Sequence, residues 1–345
     1  MRNFPRFAKK PPTKIWPPTL SNVRLKTGKA ITSACKRRYN TGNLQLFKPQ
    51  ALTTVPEAFY LPKFMLYIYS LLCIFIINGK EIMTLIANGI DTNTVQLLEQ
   101  LAFNTWPAAM QWRYGDWTVR CSGAFTKRAN SVFTAGPLPG HDGWLEEIET
   151  FYKRQDLPPQ FHLSPASPVG LDELLERCGY NKDTVTSVYI ADCRAAAESL
   201  PGTSRLNTTI EVLISDQPNA AWIGGFLEAE GFPEARRPFY EGLFARIAPR
   251  SRFITVVADG RTAGLGTVVI ERGWAGFINV VTHPAFRGQG IGKQIVQQLA
   301  AEALLLGAQR LYLQVVADNA PAIALYQKLG FTWAYDYHYR VKSVT

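Results

Sequence analysis

The residues whose types and spacing point to chemistry run from Asn279 to Lys293: Asn-Val-Val-Thr-His-Pro-Ala-Phe-Arg-Gly-Gln-Gly-Ile-Gly-Lys. An apolar strand pattern ends near Val281, Pro284 breaks any further ladder, and a glycine-rich turn opens a helix. Gly288, Gly290 and Gly292 let backbone approach a ligand closely. The free N–H groups of the first helical turn favour an anion. Arg287 and Lys293 add positive charge beside them. Such a turn is built for phosphate, and for a pyrophosphate in particular. A Walker loop requires G-x-x-x-x-G-K-[ST], but Arg287 stands at the first glycine and Gln294 at the hydroxyl position. A dinucleotide fingerprint requires a third glycine and a later acid; Ile295 stands at that glycine and the acid is missing.

A second motif follows, Asn319-Ala-Pro-Ala-Ile-Ala-Leu-Tyr326, leading into Lys328-Leu-Gly330-Phe331. Pro321 suits a helix start and Gly330 a helix end. At 3.6 residues per turn, Asn319 and Tyr326 are almost two turns apart and share a face. An amide and a phenol on one face beside a phosphate site could serve an extended ligand. In isolation the same helix would be an ordinary amphipathic one.

Together these residues resemble the GNAT superfamily of acyl-CoA-dependent N-acyltransferases. The signature Arg/Gln-x-x-Gly-x-Gly/Ala reads here Arg287-Gly-Gln-Gly290-Ile-Gly292, preceded by Val281-Thr-His283-Pro284. The later Asn-x-x-Ala-x-x-Leu-Tyr-x-x-x-Gly-Phe reads Asn319 to Phe331, and the resemblance covers about 209–341. It implies a GNAT fold, a central twisted mixed α/β sheet flanked by helices. It implies that Arg287, Gly288, Gln289, Gly290, Ile291, Gly292 and Lys293 cradle the pyrophosphate of acetyl-CoA. Backbone at Val280, Val281 and Thr282 would pair with the pantetheine arm like an added strand. Asn319 would contact the cofactor, and Tyr326 would be the general acid. The expected reaction moves an acetyl group from acetyl-CoA to a primary amine by direct attack, with the oxyanion held by backbone N–H groups near Val281. No cysteine lies near the motifs to carry a covalent step, and no metal is expected. The alternative is a CoA-binding regulatory or scaffold module with little turnover. Many relatives carry a glutamate base where this chain has Gln314. That leaves Glu271, His338, His283, or a backbone carbonyl acting through water, as candidates for the base.

The elements around these motifs follow from periodicity. Thr209 to Ile214 reads as a strand, Ala220 to Glu230 and Phe239 to Ile247 as helices, and Phe253–Ala258, Thr262–Ile270 and Trp274–Val281 as strands. Asp259-Gly260 signals a two-residue hairpin. Ile291 to Leu306 carries an apolar stripe at helical spacing. A strand at Leu311–Val316, the Pro321–Leu329 helix and a last strand pair over Phe331–Val341 complete the segment. The preceding segment reads as a smaller mixed α/β unit: helices at Asp91–Phe103, Trp144–Gln155 and Leu171–Cys178, a strand pair over Trp117–Val132, and strands at Phe161–Leu163 and Thr184–Ile190. From Gly115 to Val132 it faintly resembles relatives with two tandem units, but it has no Arg-x-x-Gly-x-Gly. It is therefore read as a degenerate GNAT-like unit without cofactor. Its Trp112, Trp117, Arg120, Arg128 and Asn130 either line an acceptor cleft or serve as packing and strand-edge residues. The expected organisation is a basic non-globular leader at 1–82, the degenerate unit at 83–195, a linker at 196–207 and the catalytic unit at 208–345.

The chain has 345 residues and a net charge of +10. Residues 1–82 hold 14 Lys and Arg against only Glu57 and Glu81, whereas the remainder holds 23 bases and 25 acids. A nucleic-acid-binding face is therefore not indicated on the globular part. The apolar run from Phe64 to Ile77 would span about 21 Å as a helix, short of a hydrocarbon core of roughly 30 Å, so no stable membrane span is expected. The leader reads as an organellar transit peptide, as a membrane-surface tail, or as sequence preceding a start at Met83, since Gly79-Lys80-Glu81 corresponds to a purine-rich ribosome-binding stretch. Five scattered cysteines without a CxxC pair fit reduced thiols and a cytoplasmic protein. The acceptor stays open at this level: a protein N-terminus, a lysine, a polyamine, an amino acid or an antibiotic.

Overall fold

Local capping chemistry sets the helix ends. In the computed structural model, which describes residues 90–198 and 209–343, helix α1 (Thr92–Thr105) starts where the Asp91 carboxylate accepts from the Thr94 N–H at 2.6 Å. The first segment continues with β1 (Met110–Tyr114), β2 (Trp117–Cys121), β3 (Val132–Phe133), α2 (Trp144–Arg154), β4 (Gln160–Leu163), α3 (Leu171–Arg177), β5 (Asn181–Asp192) and α4 (Cys193–Glu198). The second holds β6 (Ile210–Ser215), α5 (Ala220–Glu230), α6 (Arg237–Ala245), β7 (Arg250–Ala258), β8 (Arg261–Glu271), β9 (Trp274–Thr282), α7 (Ile291–Leu305), β10 (Arg310–Val316), α8 (Ala320–Lys328) and β11 (Thr332–Val341). The expected leader at 1–82 and most of the expected linker at 196–207 lie outside the described residues.

The Asp259-Gly260 hairpin joins β7 to β8 with φ of +51° and +70°, the mirror-image turn that matches strand twist. Arg272-Gly273 makes the next hairpin the same way, with φ of +52° and +77°. Two strand readings are corrected. The strand pair expected over Trp117–Val132 is present only as the short antiparallel contact of β2 with β3 at Thr118 and Phe133, and the tight hairpin lies one step earlier, β1 with β2, where Gly115 takes φ +61°. Residues 122–131 form a loop tied by Asn130, which accepts from the Ser122 N–H and donates to the Thr126 carbonyl. The strand pair expected over Phe331–Val341 is the single strand β11, whose partners come from elsewhere in the chain.

The eleven strands of the described residues form one mixed sheet in the order β1-β2-β3-β4-β11-β5-β10-β9-β8-β7-β6. Within each segment, antiparallel pairs lead to one parallel pair, β3 with β4 and β9 with β10. The two segments then exchange strands. β5 of the first lies between β10 and β11 of the second, and β11 reaches across to β4. Helix α7 covers one sheet face with Ile291, Ile295, Val296, Leu299, Ala300 and Ala303, all buried. Each of the larger of these side chains is worth about 1.5–3 kcal/mol on burial. The helix lies unusually close to the sheet. A Cβ on Gly264 would fall 2.5 Å from Ile295 Cδ1 and 2.8 Å from the Val281 carbonyl oxygen. The opposite face is covered in two parts, by α5 and α6 over β7–β9 and by α1 over β5, β10 and β11.

Candidate active site

The parallel pairing of β9 with β10 runs from Trp274 opposite Arg310 to Phe277 opposite Leu313 and goes no further. Two local causes separate the strands there. On one side β9 carries a bulge: its register against β8 jumps between Ile278 and Val281, and Asn279 sits at φ +55°. On the other side β10 follows β5, pairing as far as Val316 opposite Thr186. Beyond Phe277, the β10-facing edge of β9, from Ile278 to Thr282, therefore has no partner strand among the described residues. An extended chain can add its hydrogen bonds to such an edge. Val280, Val281 and Thr282 all lie on this stretch.

At the end of β9 the chain turns into α7. The His283 N–H donates to the Ala263 carbonyl, and its Nδ1 accepts from the Ala285 N–H at 3.2 Å, capping a short 3₁₀ turn at Pro284–Phe286. Gln289 donates to the Ala285 carbonyl at 3.0 Å and braces the loop. Gly288 takes φ +74°, and Gly290, the residue before α7, takes φ +89° and ψ −2°. No side chain caps α7 and no acid lies in its first turn, so its leading N–H groups and its positive dipole end are kept for a ligand. Arg287, Gly288 and Gly290 are exposed there, with Gln289 and Lys293 half-buried and Ile291 turned into the core. A Cβ on Gly292 would lie 3.3 Å from Thr282 Oγ1 and 3.1 Å from Leu325 Cδ2. The strand end, the turn and α8 thus meet at one place.

Asn319 is the N-cap of α8, its Oδ1 accepting from the Ala322 N–H at 3.3 Å, and it is exposed. Tyr326, two turns on, is 8% exposed and packs in the α7-side core, its ring 5.8 Å from that of Phe331. Burial pushes its hydroxyl up to about 12. Gln314, at the position of the relatives' glutamate, and the three side chains weighed as the base, Glu271, His338 and His283, each hold another contact. Gln314 accepts from the Tyr337 hydroxyl at 3.3 Å. Glu271 accepts from the Asn104 amide at 2.9 Å. His338 pairs with Asp172 at 2.9 Å. His283 caps its turn and lies 3.6 Å from Glu228.

In the first segment, Trp117 is fully buried among Trp144 and Phe161, and Arg120 is buried with hydrogen bonds to Ser131. Both, like Asn130, are framework residues. Trp112 stands partly exposed on the edge strand beside Tyr114 and Phe151. Helix α2 follows the parallel strand β3 as α7 follows β9, and its N-cap Gly143 has the same φ +89° and ψ −2°. The charge differs. Glu146 and Glu147 occupy the first turn of α2, along an open cleft of about 590 Å³. A phosphate would meet carboxylates there. One buried polar group was not anticipated: Glu99, on the apolar stripe of α1 four residues after Val95, accepts from Tyr335 at 2.8 Å and pairs with His162 at 2.6 Å. A charge on an otherwise apolar stripe was the available signal.

The model of the acetyltransferase (GNAT) family matches residues 219–331. The chain is 36% identical to the uncharacterized N-acetyltransferase YobR of Bacillus subtilis, over 72% of this chain and 98% of that protein. It is 32% identical to the [ribosomal protein bS18]-alanine N-acetyltransferase of Salmonella typhimurium, over 36% of this chain and 82% of that one. Among solved structures, a GCN5-related N-acetyltransferase from Kribbella flavida shares the fold with a TM-score of 0.55 at 16% identity, covering 73% of this chain and 95% of that one. With an uncapped glycine turn beside two parting parallel strands, and a relative matched over nearly its whole length, this chain belongs to the GNAT family of N-acetyltransferases.

Proposed function

We propose that the protein transfers the acetyl group of acetyl-CoA to a primary amine by direct attack, with the chemistry carried by residues 208–345. The observation that carries this reading is the parting of β9 and β10 beside the uncapped start of α7. An open strand edge and an anion-binding turn, joined end to end, match a ligand that is a peptide-like arm ending in a pyrophosphate.

In this reading, the turn from Arg287 to Lys293 holds the phosphates. The unpaired backbone of Val280, Val281 and Thr282 lines up the pantetheine arm, and Asn319 flanks it from α8. The thioester then lies where the strands part. The amine nitrogen attacks the thioester carbon and passes its proton through water, ordered by a backbone carbonyl, to solvent, and a backbone N–H near Val281 steadies the developing oxyanion. When the C–S bond breaks, the electron pair leaves on sulfur, and Tyr326 gives the thiolate its hydroxyl proton. A hydroxyl held near 12 keeps that proton at neutral pH. It is also a weaker acid than a free phenol of pKa about 10. Burial raises a thiolate in the same pocket too, which narrows the gap between donor and acceptor.

The first segment is read as a degenerate unit that holds no cofactor, since Glu146 and Glu147 face the place a phosphate would take. A primary amine fits the relative named for the alanine of ribosomal protein bS18. We place the reaction in the cytoplasm. Cys121, Cys178 and Cys193 form no disulfide among the described residues, which fits a reducing compartment, and no described helix is long and apolar enough to cross a membrane.

The test is release of free CoA thiol from acetyl-CoA over a panel of amines, with CoA binding followed by calorimetry. Transfer to at least one amine with one CoA bound per chain is expected. CoA binding without transfer would leave a binding module, and no binding would overturn the reading.

A further inference from the structure

On the sheet face away from α7, the packing falls into two clusters. One joins α5, α6 and the Trp106–Ala108 stretch to β9 at Ile278 and Val281; the other joins α1 to Tyr312, Tyr337 and Tyr339 of β10 and β11. The second cluster also holds Trp274, where β9 and β10 still pair, so the boundary between the clusters meets the gap between these strands beyond Phe277, where Ile278 and Val281 belong to the first. Arg128 comes from the 122–131 loop to this boundary. The loop is pinned on both sides of it: Lys127 pairs with Asp183 at 2.7 Å, and Ala129 is fully buried in the first cluster. The guanidinium lies over the Trp106 ring, 4.5 Å from its centroid, and Trp106 is itself held by a hydrogen bond to Thr126. Burial raises the hydroxyls of Tyr240 in one cluster and of Tyr312, Tyr337 and Tyr339 in the other, and the positive charge of Arg128 opposes that rise in both.

Half-buried in this position, Arg128 has no ion pair and no hydrogen bond among the described residues. Two carboxylates of the second cluster's side are bonded elsewhere, Glu99 to His162 and Tyr335, and Glu271 to Asn104. The neighbouring Arg120, by contrast, is bonded to Ser131. A guanidinium presents five donors in a fixed fork whose geometry matches a carboxylate. The fork is half-buried with its nitrogens still open to solvent, so an incoming carboxylate can reach it and form a charge-assisted, two-point pair. The phosphates do not reach it, because the turn at Gly290 opens α7 on the other face.

We propose that Arg128 binds a carboxylate on the amine acceptor, so that the acceptor is an amino acid or a small peptide-like amino-carboxylate and not a polyamine. The inference rests on the transferase reading above and names the substrate class of that same site. Arg128 then selects and orients the acceptor, with its amine toward the gap between the strands, while the residues on the α7 side hold acetyl-CoA.

The experiment uses the full chain and matched pairs of amines: phenylalanine with phenethylamine, methionine with 3-(methylthio)propylamine, and lysine with cadaverine. CoA affinity, the binding of each amine to the CoA-loaded protein, and kcat/KM for thiol release are measured on wild type, Arg128→Lys and Arg128→Gln. In at least one pair the amino acid is expected to be favoured by about tenfold or more in binding and in kcat/KM. Arg128→Gln should bring that preference below about threefold by raising KM, Arg128→Lys should keep part of it, and CoA affinity should be unchanged in both. The proposal is overturned if the decarboxylated amine is handled as well in every pair, or if Arg128→Gln keeps the preference while folded. Wild-type protein that does not bind CoA would overturn the transferase reading and this inference with it, a result distinct from loss of the carboxylate preference alone.

Discussion

Replacing Gly290 by aspartate tests the assignment of the phosphate site most directly. Gly290 sits at φ +89° and ψ −2° just before α7, with no side chain capping the helix and no acid in its first turn. An L-residue in this left-handed conformation costs about 1–2 kcal/mol. Gly290→Ala therefore isolates the backbone cost, which appears as a drop in Tm of about 2–4 °C per kcal/mol in a protein somewhat smaller than this one. Gly290→Asp carries the same backbone cost and adds a carboxylate at the mouth of the turn. At about 5 Å from a pyrophosphate bearing two negative charges, the repulsion is about 1.7 kcal/mol even with the dielectric constant of bulk water. The reorganisation of a partly desolvated site adds to this. CoA affinity in Gly290→Asp should thus fall about tenfold or more below that of Gly290→Ala. The two variants are compared by calorimetry at low salt, where screening is weakest, with melting curves recorded alongside. A folded Gly290→Asp protein that binds CoA as tightly as Gly290→Ala would refute the placement of the phosphates.

Three further outcomes are expected. Tyr326→Phe keeps the buried ring against Phe331 and removes the proton. CoA affinity should stay within about threefold while kcat falls by roughly 10–100-fold in single-turnover measurements. With the hydroxyl held up at about 12, the wild-type rate should show no alkaline loss from this group below about pH 11. Gly276→Ala would place a Cβ 2.5 Å from Cζ of the buried Tyr312 on the paired strand, so it should cost about 1–3 kcal/mol in denaturant unfolding. Adding Tyr312→Leu should recover part of that loss, because the two positions share one space. Burial alone would raise Asp172, but hydrogen bonds from His338 and Arg340 outweigh it and hold the carboxyl well below the usual range. This stabilisation is present above the unfolded carboxylate pKa of about 3.9 and is lost as the pH falls below it. Asp172→Asn should therefore be less stable than wild type at pH 7, by about 1 kcal/mol for a partly exposed group, and the difference should close in acid.

What could be read from the chain alone is what neighbours along the chain decide. The Asp259-Gly260 hairpin, the Pro321 start of α8 and the glycine before α7 are each set by a few adjacent residues, and each stands where its local chemistry puts it. The apolar stripe from Ile291 to Ala303 likewise carries its own period and becomes the buried face of α7. The tertiary structure decided the rest. The stretch from Phe331 to Val341 has the composition of two strands but forms one, because β5, some 140 residues earlier in the chain, takes the place beside it. The parting of β9 and β10 depends on a bulge at Asn279 and on β10 following β5, and neither strand's own pattern encodes its partner. Gln314 and Glu99 meet tyrosines from distant elements, and Arg128 meets Trp106 beyond the end of α1, so their surroundings existed only once the sheet had formed. Capping and turn preferences act over three or four residues, whereas strand order is selected by which apolar faces can be buried together, a property of the assembled layers and not of any one segment.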